Sequence, residues 1–456
     1  MNSNVTDLKP RLLRRHGYVP LVICAFLLTY RLTLAGDGSA EAQNRPQPVR
    51  SLADSLKRAS ATTTQLHIFY VHGMAAAGPG HSDSQPLRRS ICSYWHDCVS
   101  PEGDYDGREY ADKDRFALNA PGPQLSYLGE PVWRTNPVGS SSEEWNASAP
   151  FVDHWKIARK SGPTIYVDEI NWWPLVFALK CRQIVANDAS LAGPAAAYID
   201  VCASSKPDAK NPGRYISYAW IGPSDASRLK AMPKRGALIN RGLKNYILDW
   251  GFSDALIALG PERPLLLEGI RLLVLKSVKV NADGRRGDAA AAIPDQEFVV
   301  VSHSLGSYLM FSALDLTETV PPSNPQWKVE FERILGRTSI AYFLANQIRL
   351  FELAKLDAID NGNMRQHLEL WGKLRREYLA SQPGALGAQS AAEIVAWSDP
   401  SDLLTWDLPQ IPDVDVENSH VKNAIHWLWL FESPSKAHGN YDLNHKVIRV
   451  MLKPST

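Results

Sequence analysis

The chain has no dominant charge sign. Its 49 Lys and Arg almost cancel its 48 Asp and Glu. No field of one sign spans the molecule, which argues against a nucleic-acid or polyanion partner. It has no H-E-x-x-H and no Cys-x-x-Cys, and its cysteine spacings do not resemble zinc-ligand pairs, so nothing in the sequence implies a metal or another cofactor. Cysteine is scarce, at five residues, and methionine is scarce too, at six. No internal repeat is visible. No apolar run reaches the roughly 20 residues that a membrane-spanning helix needs. The longest candidate, 18–30, is cut by Arg31.

That run has basic flanks. Lys9, Arg11, Arg14 and Arg15 precede it, and Ala40-Glu41-Ala42 follows as a small-x-small site. A positive segment, an apolar segment and a small-residue site are the parts of an export signal. Residues 1–42 are expected to be a cleaved signal peptide or an uncleaved anchor. The segment engages a membrane in both cases, and the rest of the chain is exported. The four remaining cysteines are Cys92, Cys98, Cys181 and Cys202. In an oxidising compartment they pair most simply as Cys92–Cys98 and Cys181–Cys202, each bridge closing a short loop. Buried free thiols are the alternative.

Residues 43–64 read as a linker, and 65–456 as one domain. Short β-branched and aromatic runs at 66–71, 164–167, 215–220, 298–301, 338–344, 394–397 and 421–430 read as strands. Helical periodicity is clearest at 239–259 and 265–280. Residues 74–160, rich in Gly, Pro and Ser, read as a long excursion without regular structure. Strands alternating with helices predict an α/β fold with a mainly parallel sheet.

The chemistry concentrates at V-V-V-S-H-S-L-G-S-Y-L, residues 299–309. A buried strand ends at a serine with small residues, Ser302 and Gly306, two positions to each side, and a helix begins at once. This is a nucleophile-elbow pattern. The tight turn holds the Ser304 hydroxyl at a helix start, where free N–H groups and the helix dipole favour negative charge. An ordinary helix N-cap is the plain alternative for Ser304.

S-H-S-L-G-S resembles the lipase and esterase branch of the α/β-hydrolase superfamily, over about residues 65–450. Ser302 departs from that family's usual Gly-x-Ser-x-Gly. The resemblance implies an α/β-hydrolase fold and a serine hydrolase whose acid and base follow the nucleophile in chain order. Asp402 or Asp399, in W-S-D-P-S-D-L-L, would be the acid, with Asp402 preferred. Asp399 before Pro400 also suits a helix N-cap. His438, in a Gly-containing loop with Tyr441 after it, would be the base, ahead of His420, His426 and His445. The amides of Met74, in His72-Gly73-Met74, and of Leu305 would form the oxyanion hole. His72 and Ser304 lie much further apart than the roughly 70–100 residues that the intervening βα units need. Large insertions are therefore expected, with helices around 225–290 serving as a cap or as additional core. The expected substrate is a small-molecule or lipid ester. A thioester, peptide or polyester, or a non-catalytic binding role on the same fold, are the alternatives.

Overall fold

In the computed structural model the described residues are 51–58, 64–74, 83–96, 98–99, 112–117, 150–180, 252–260, 263–278, 296–314, 325–352, 364–381, 392–423 and 434–453. All fall in the compact unit Val49–Thr456. The leader-like segment, Cys181, Cys202, the strand expected at 215–220 and His426 lie outside them. Among the described residues no helix is long and apolar enough to cross a membrane.

The described residues form an α/β structure around one eight-stranded sheet. Its strands are β1 (Gln65–Val71), β2 (Asp112–Ala117), β3 (Phe151–Ile157), β4 (Thr164–Asn171), β5 (Gln296–His303), β6 (Thr338–Leu344), β7 (Ala392–Ser398) and β8 (Val414–His420). The spatial order is β2-β3-β4-β1-β5-β6-β7-β8. β4, β1, β5, β6, β7 and β8 run parallel. β2 and β3 add an antiparallel extension at one edge.

The side-chain alternation of a strand divides the core into two layers. In β1, Leu66, Ile68 and Tyr70 enter one layer, while Phe69 and Val71 enter the other. The first layer is covered by α1 (Leu52–Arg58), α2 (Gln85–Trp95) and the C-terminal α11 (His445–Leu452), through Leu52, Leu87, Ile91, Val447 and Met451. The second, larger layer receives α3 (Trp173–Lys180), α4 (Ser253–Leu259), α5 (Arg263–Ser277), α6 (Leu305–Ser312), α7 (Pro325–Arg337), α8 (Ile348–Glu352) and α9 (Met364–Ala380). A parallel sheet needs both faces covered, which explains why β5 is a continuous buried run and does not alternate with polar residues.

Several sequence expectations change here. The excursion at 74–160 contains α2, β2 and β3. β3 was hard to see because Asp153 and His154, polar residues in F-V-D-H-W-K-I, are buried in it. Among the described residues the last strand is Val414–His420, earlier than the apolar run at 421–430, of which 421–423 are described and lie beyond the strand. As an edge strand, β8 keeps only Val414 and Val416 buried. α5 lies in the core, with Leu266, Leu267, Ile270 and Leu273 fully buried, so this part of the 225–290 region is core and not cap. The expected Cys92–Cys98 bridge is present, joining the end of α2 to the segment that pairs with Arg159.

A disulfide closing so short a loop contributes about 2 kcal/mol through the unfolded chain. Replacing both Cys92 and Cys98 by Ser is expected to lower unfolding free energy in urea by about that amount, with the native circular dichroism spectrum retained.

Candidate active site

The site is assembled at the carboxyl ends of neighbouring parallel strands β1, β5, β6 and β7. β5 ends at His303, and α6 starts at Leu305, leaving Ser304 alone to make the turn. Its backbone takes φ 54° and ψ −123°. A non-glycine residue adopts positive φ only where the surroundings enforce it. The surroundings here are specific. The Ser304 N–H donates to the Leu344 carbonyl at 2.7 Å, and the Ser304 carbonyl accepts from Ser307 N–H at 3.1 Å.

Small residues around the turn follow from backbone contact. A Cβ at Gly306 would lie 2.4 Å from the Val71 carbonyl oxygen and 2.5 Å from that of His72. A Cβ at Gly73 would lie 2.8 Å from Ser304 Cβ. Ser302, at the other small position, is fully buried, and its hydroxyl is satisfied by Ser307 Oγ at 2.9 Å and the Tyr342 carbonyl at 3.4 Å. A serine therefore fits where the pattern usually has glycine.

The distant residues converge on Ser304. Its Oγ lies 2.8 Å from His438 Nε2, and His438 Nδ1 lies 2.8 Å from Asp402 Oδ2. His438 sits in a short helix, α10 (Pro434–Gly439), and not in the loop expected from its Gly-containing context. Proline at the first helical position and glycine at the last account for that helix. A short 3₁₀ turn, Tyr441–Leu443, follows it.

Asp402 and Asp399 separate clearly. The Asp402 Oδ1 accepts the Leu404 N–H at 3.0 Å, leaving Oδ2 to face His438 and the Tyr441 hydroxyl, which lies 3.4 Å away. Asp399 instead shapes the loop. Its Oδ1 accepts from Ser401 N–H at 2.8 Å and its Oδ2 from Asn423 N–H at 2.6 Å. Its own N–H donates to Tyr441 Oη at 2.6 Å, and its carbonyl accepts the Asp402 N–H at 2.9 Å. Burial, reinforced by the Asp402 charge, raises the Tyr441 phenol above its ordinary pKa, so it stays a protonated donor. His420 is exposed and paired with Asp407 at 3.0 Å, and His445 opens α11.

The turn after β1 lies against Ser304. The His72 ring stacks on Trp172 with centroids 4.7 Å apart, and the Trp172 indole N–H donates to the His72 carbonyl at 3.1 Å. Met74 follows directly and packs on the core. Leu305 is the first residue of α6, and such a residue's N–H has no acceptor within its own helix.

Three site residues were not found from the sequence. Trp172 fixes the His72 turn. His303 stands edge-on to His438, ring centroids 5.5 Å apart. Gln347, fully buried, brings its amide Nε2 to 3.4 Å from His438 Nε2. Only His303 carried a signal, its place in S-H-S-L-G.

A second polar cluster lies away from this site, on the second layer's side of the sheet. Asp168 of β4 accepts from His67 Nδ1 of β1 at 2.7 Å and, through its other oxygen, from His154 Nδ1 of β3. These three buried residues are the group among the described residues whose ligand atoms are close enough to hold a metal ion. The two histidine hydrogen bonds already occupy both carboxylate oxygens. Burial alone would raise the Asp168 pKa, yet the two histidines hold it below its ordinary value.

No protein-family model matches the chain, no curated protein matches it, and no solved structure matches it.

Burial, with the nearby His438 second, lowers the His303 pKa to about 3. In the unfolded chain His303 takes up a proton near pH 6.5, whereas in the folded chain it does so only near pH 3. Its contribution to stability is complete above pH 6.5 and shrinks as pH falls towards 3. Urea unfolding at pH 8 and pH 5 is expected to show a smaller acid loss in His303→Gln than in wild type. The difference can reach at most about 1.4 kcal/mol per pH unit. At fixed pH, Gly306→Ala is expected to lower stability by about 3 kcal/mol, because its Cβ meets backbone that cannot move aside.

Proposed function

We propose that the protein is a serine hydrolase of the α/β-hydrolase fold that cleaves carboxylic esters through an acyl-enzyme. One observation carries the reading: the continuous hydrogen-bonded chain Ser304 Oγ, His438 Nε2, His438 Nδ1, Asp402 Oδ2, with both links 2.8 Å long and a strained serine at its head. An ordinary helix N-cap would need neither the positive φ nor a histidine on its hydroxyl.

A serine hydroxyl is a weak nucleophile until a base removes its proton. His438 takes that proton as Ser304 Oγ bonds to the ester carbonyl carbon and the π electrons move onto the carbonyl oxygen. Asp402 fixes the imidazole with Nδ1 protonated and stabilises its cationic form. The amides of Leu305 and Met74 receive the oxyanion. His438 then protonates the departing alkoxide, and water, deprotonated by His438, releases the acid and restores Ser304.

Leu403 and Trp406, just after Asp402, and Leu443, just after Tyr441, are exposed apolar side chains on the segments that carry the acid and the base. They favour a substrate with an apolar body, such as a lipid ester. The same triad would serve a thioester, peptide or polyester. The basic and apolar leader, with the Cys92–Cys98 bridge, supports export.

Purified protein is expected to react with a fluorophosphonate probe, with labelling lost in Ser304→Ala and strongly reduced in His438→Ala. With a p-nitrophenyl ester, Asp402→Asn is expected to reduce kcat by about 10⁴-fold. Asp399→Asn should mainly lower stability. A folded wild type that neither labels nor hydrolyses any of a panel of acyl substrates would refute the proposal.

A further inference from the structure

Gln347 is the unexplained polar side chain of the site. β6 ends at Leu344, and Ala345 then takes φ 56°, a positive φ like that of Ser304 at the end of the adjacent strand. This turn carries Asn346 and Gln347 back across the carboxyl ends of the strands. Asn346 locks the segment: its Nδ2 donates to the Trp406 carbonyl at 2.9 Å, and its Oδ1 accepts from Ile348 N–H at 3.1 Å. The Gln347 carbonyl accepts from the Leu350 and Phe351 N–H groups and so anchors the start of α8. Its backbone is thus held from both sides.

That side chain ends against His438. Nε2 of Gln347 is 3.4 Å from Nε2 of His438, the nitrogen that also faces Ser304, while Oε1 of Gln347 is buried with no hydrogen-bond partner. A buried amide oxygen without a donor is costly. The arrangement suits a neutral imidazole, whose Nε2 lone pair accepts from the Ser304 hydroxyl and weakly from the Gln347 N–H. It does not suit the imidazolium, where an N–H would meet an N–H. Rotation of the amide by half a turn exchanges its oxygen and nitrogen, which are nearly equal in size. The oxygen would then accept from the protonated Nε2.

Resting on the hydrolase reading, we propose that Gln347 is a positioning residue whose amide turns over with the proton on His438. Its N–H₂ faces the neutral base, and its carbonyl accepts from the imidazolium once Ser304 Oγ has given up its proton. The amide thereby raises the basicity of His438 and holds the proton where the leaving oxygen collects it. His303 also faces this ring, and Tyr441 faces His303 and the Asp402 carboxylate behind it. His303 is neutral above about pH 3 and Tyr441 stays protonated, so neither changes charge when His438 gains its proton.

The test reads His438 itself. The imidazole Hε1 resonances of the purified protein are titrated by NMR in wild type, Gln347→Met and Gln347→Glu, with His438 assigned by its loss in His438→Ala. Gln347→Met, close in size and without polar atoms to turn, is expected to lower the His438 pKa by at least half a pH unit. Gln347→Glu is expected to raise it by at least one unit. The acid limb of kcat/KM for a p-nitrophenyl ester should move by the same amounts. A role confined to packing would change rate or melting temperature and leave the midpoints in place. Unmoved His438 midpoints in folded Gln347→Met would overturn the proposal, even if Gln347→Glu fails to fold. Because the NMR titration needs no turnover, this failure is distinct from failure of the hydrolase reading, which appears as a wild type without Ser304-dependent labelling.

Discussion

The site depends on one close approach between backbones. The turn from β5 into α6 presses on the end of β1 so tightly that Gly306 has no room for a side-chain carbon beside the Val71 and His72 carbonyls. Gly73 meets Ser304 from the other direction. Pairing of β1 with β5 in parallel register brings these two turns to the same level. Strain at Ser304 is tolerated because the turn is held on all sides, by Leu344 from β6 and by the β1 turn. A serine fixed in this way has little orientational freedom left to lose.

Around that contact the polar groups form a closed account. Asp399 has both oxygens and its backbone groups committed to the loop, which lets Asp402 keep one oxygen for His438. Tyr441 links the two, accepting from Asp399 and facing Asp402. Two carboxylates three residues apart thus have different tasks, decided by which backbone N–H groups reach them.

The central strands and the elbow were legible in the sequence because both rest on local rules. Buried parallel strands read as β-branched runs, and a serine between small residues before a helix reads as a tight turn. His438 and Asp402 were legible by their order along the chain, with weaker help from their neighbours, Gly439 and Tyr441 for the one and the W-S-D-P-S-D-L-L segment for the other. The helix around His438 was missed because its six residues carry no periodicity, only a proline and a glycine at its ends. β2 was missed because its sequence, D-K-D-R-F-A, is mostly charged, and β3 because Asp153 and His154, buried in the fold, look in one dimension like solvent-facing residues. Gln347 had no signal at all: its importance arises from the turn at Ala345, which is set by tertiary contacts.

The His67, Asp168 and His154 trio also has a consequence for how the sheet assembles. His154 lies opposite Asp168 in the antiparallel ladder of β3 on β4. Shifting β3 by one residue would carry His154 to the other face and leave the Asp168 carboxylate buried with a single imidazole. The trio thus acts as a registration pin. It makes the correct alignment of the edge hairpin the only one in which a buried charge is fully matched, and apolar packing alone would not distinguish neighbouring alignments so sharply.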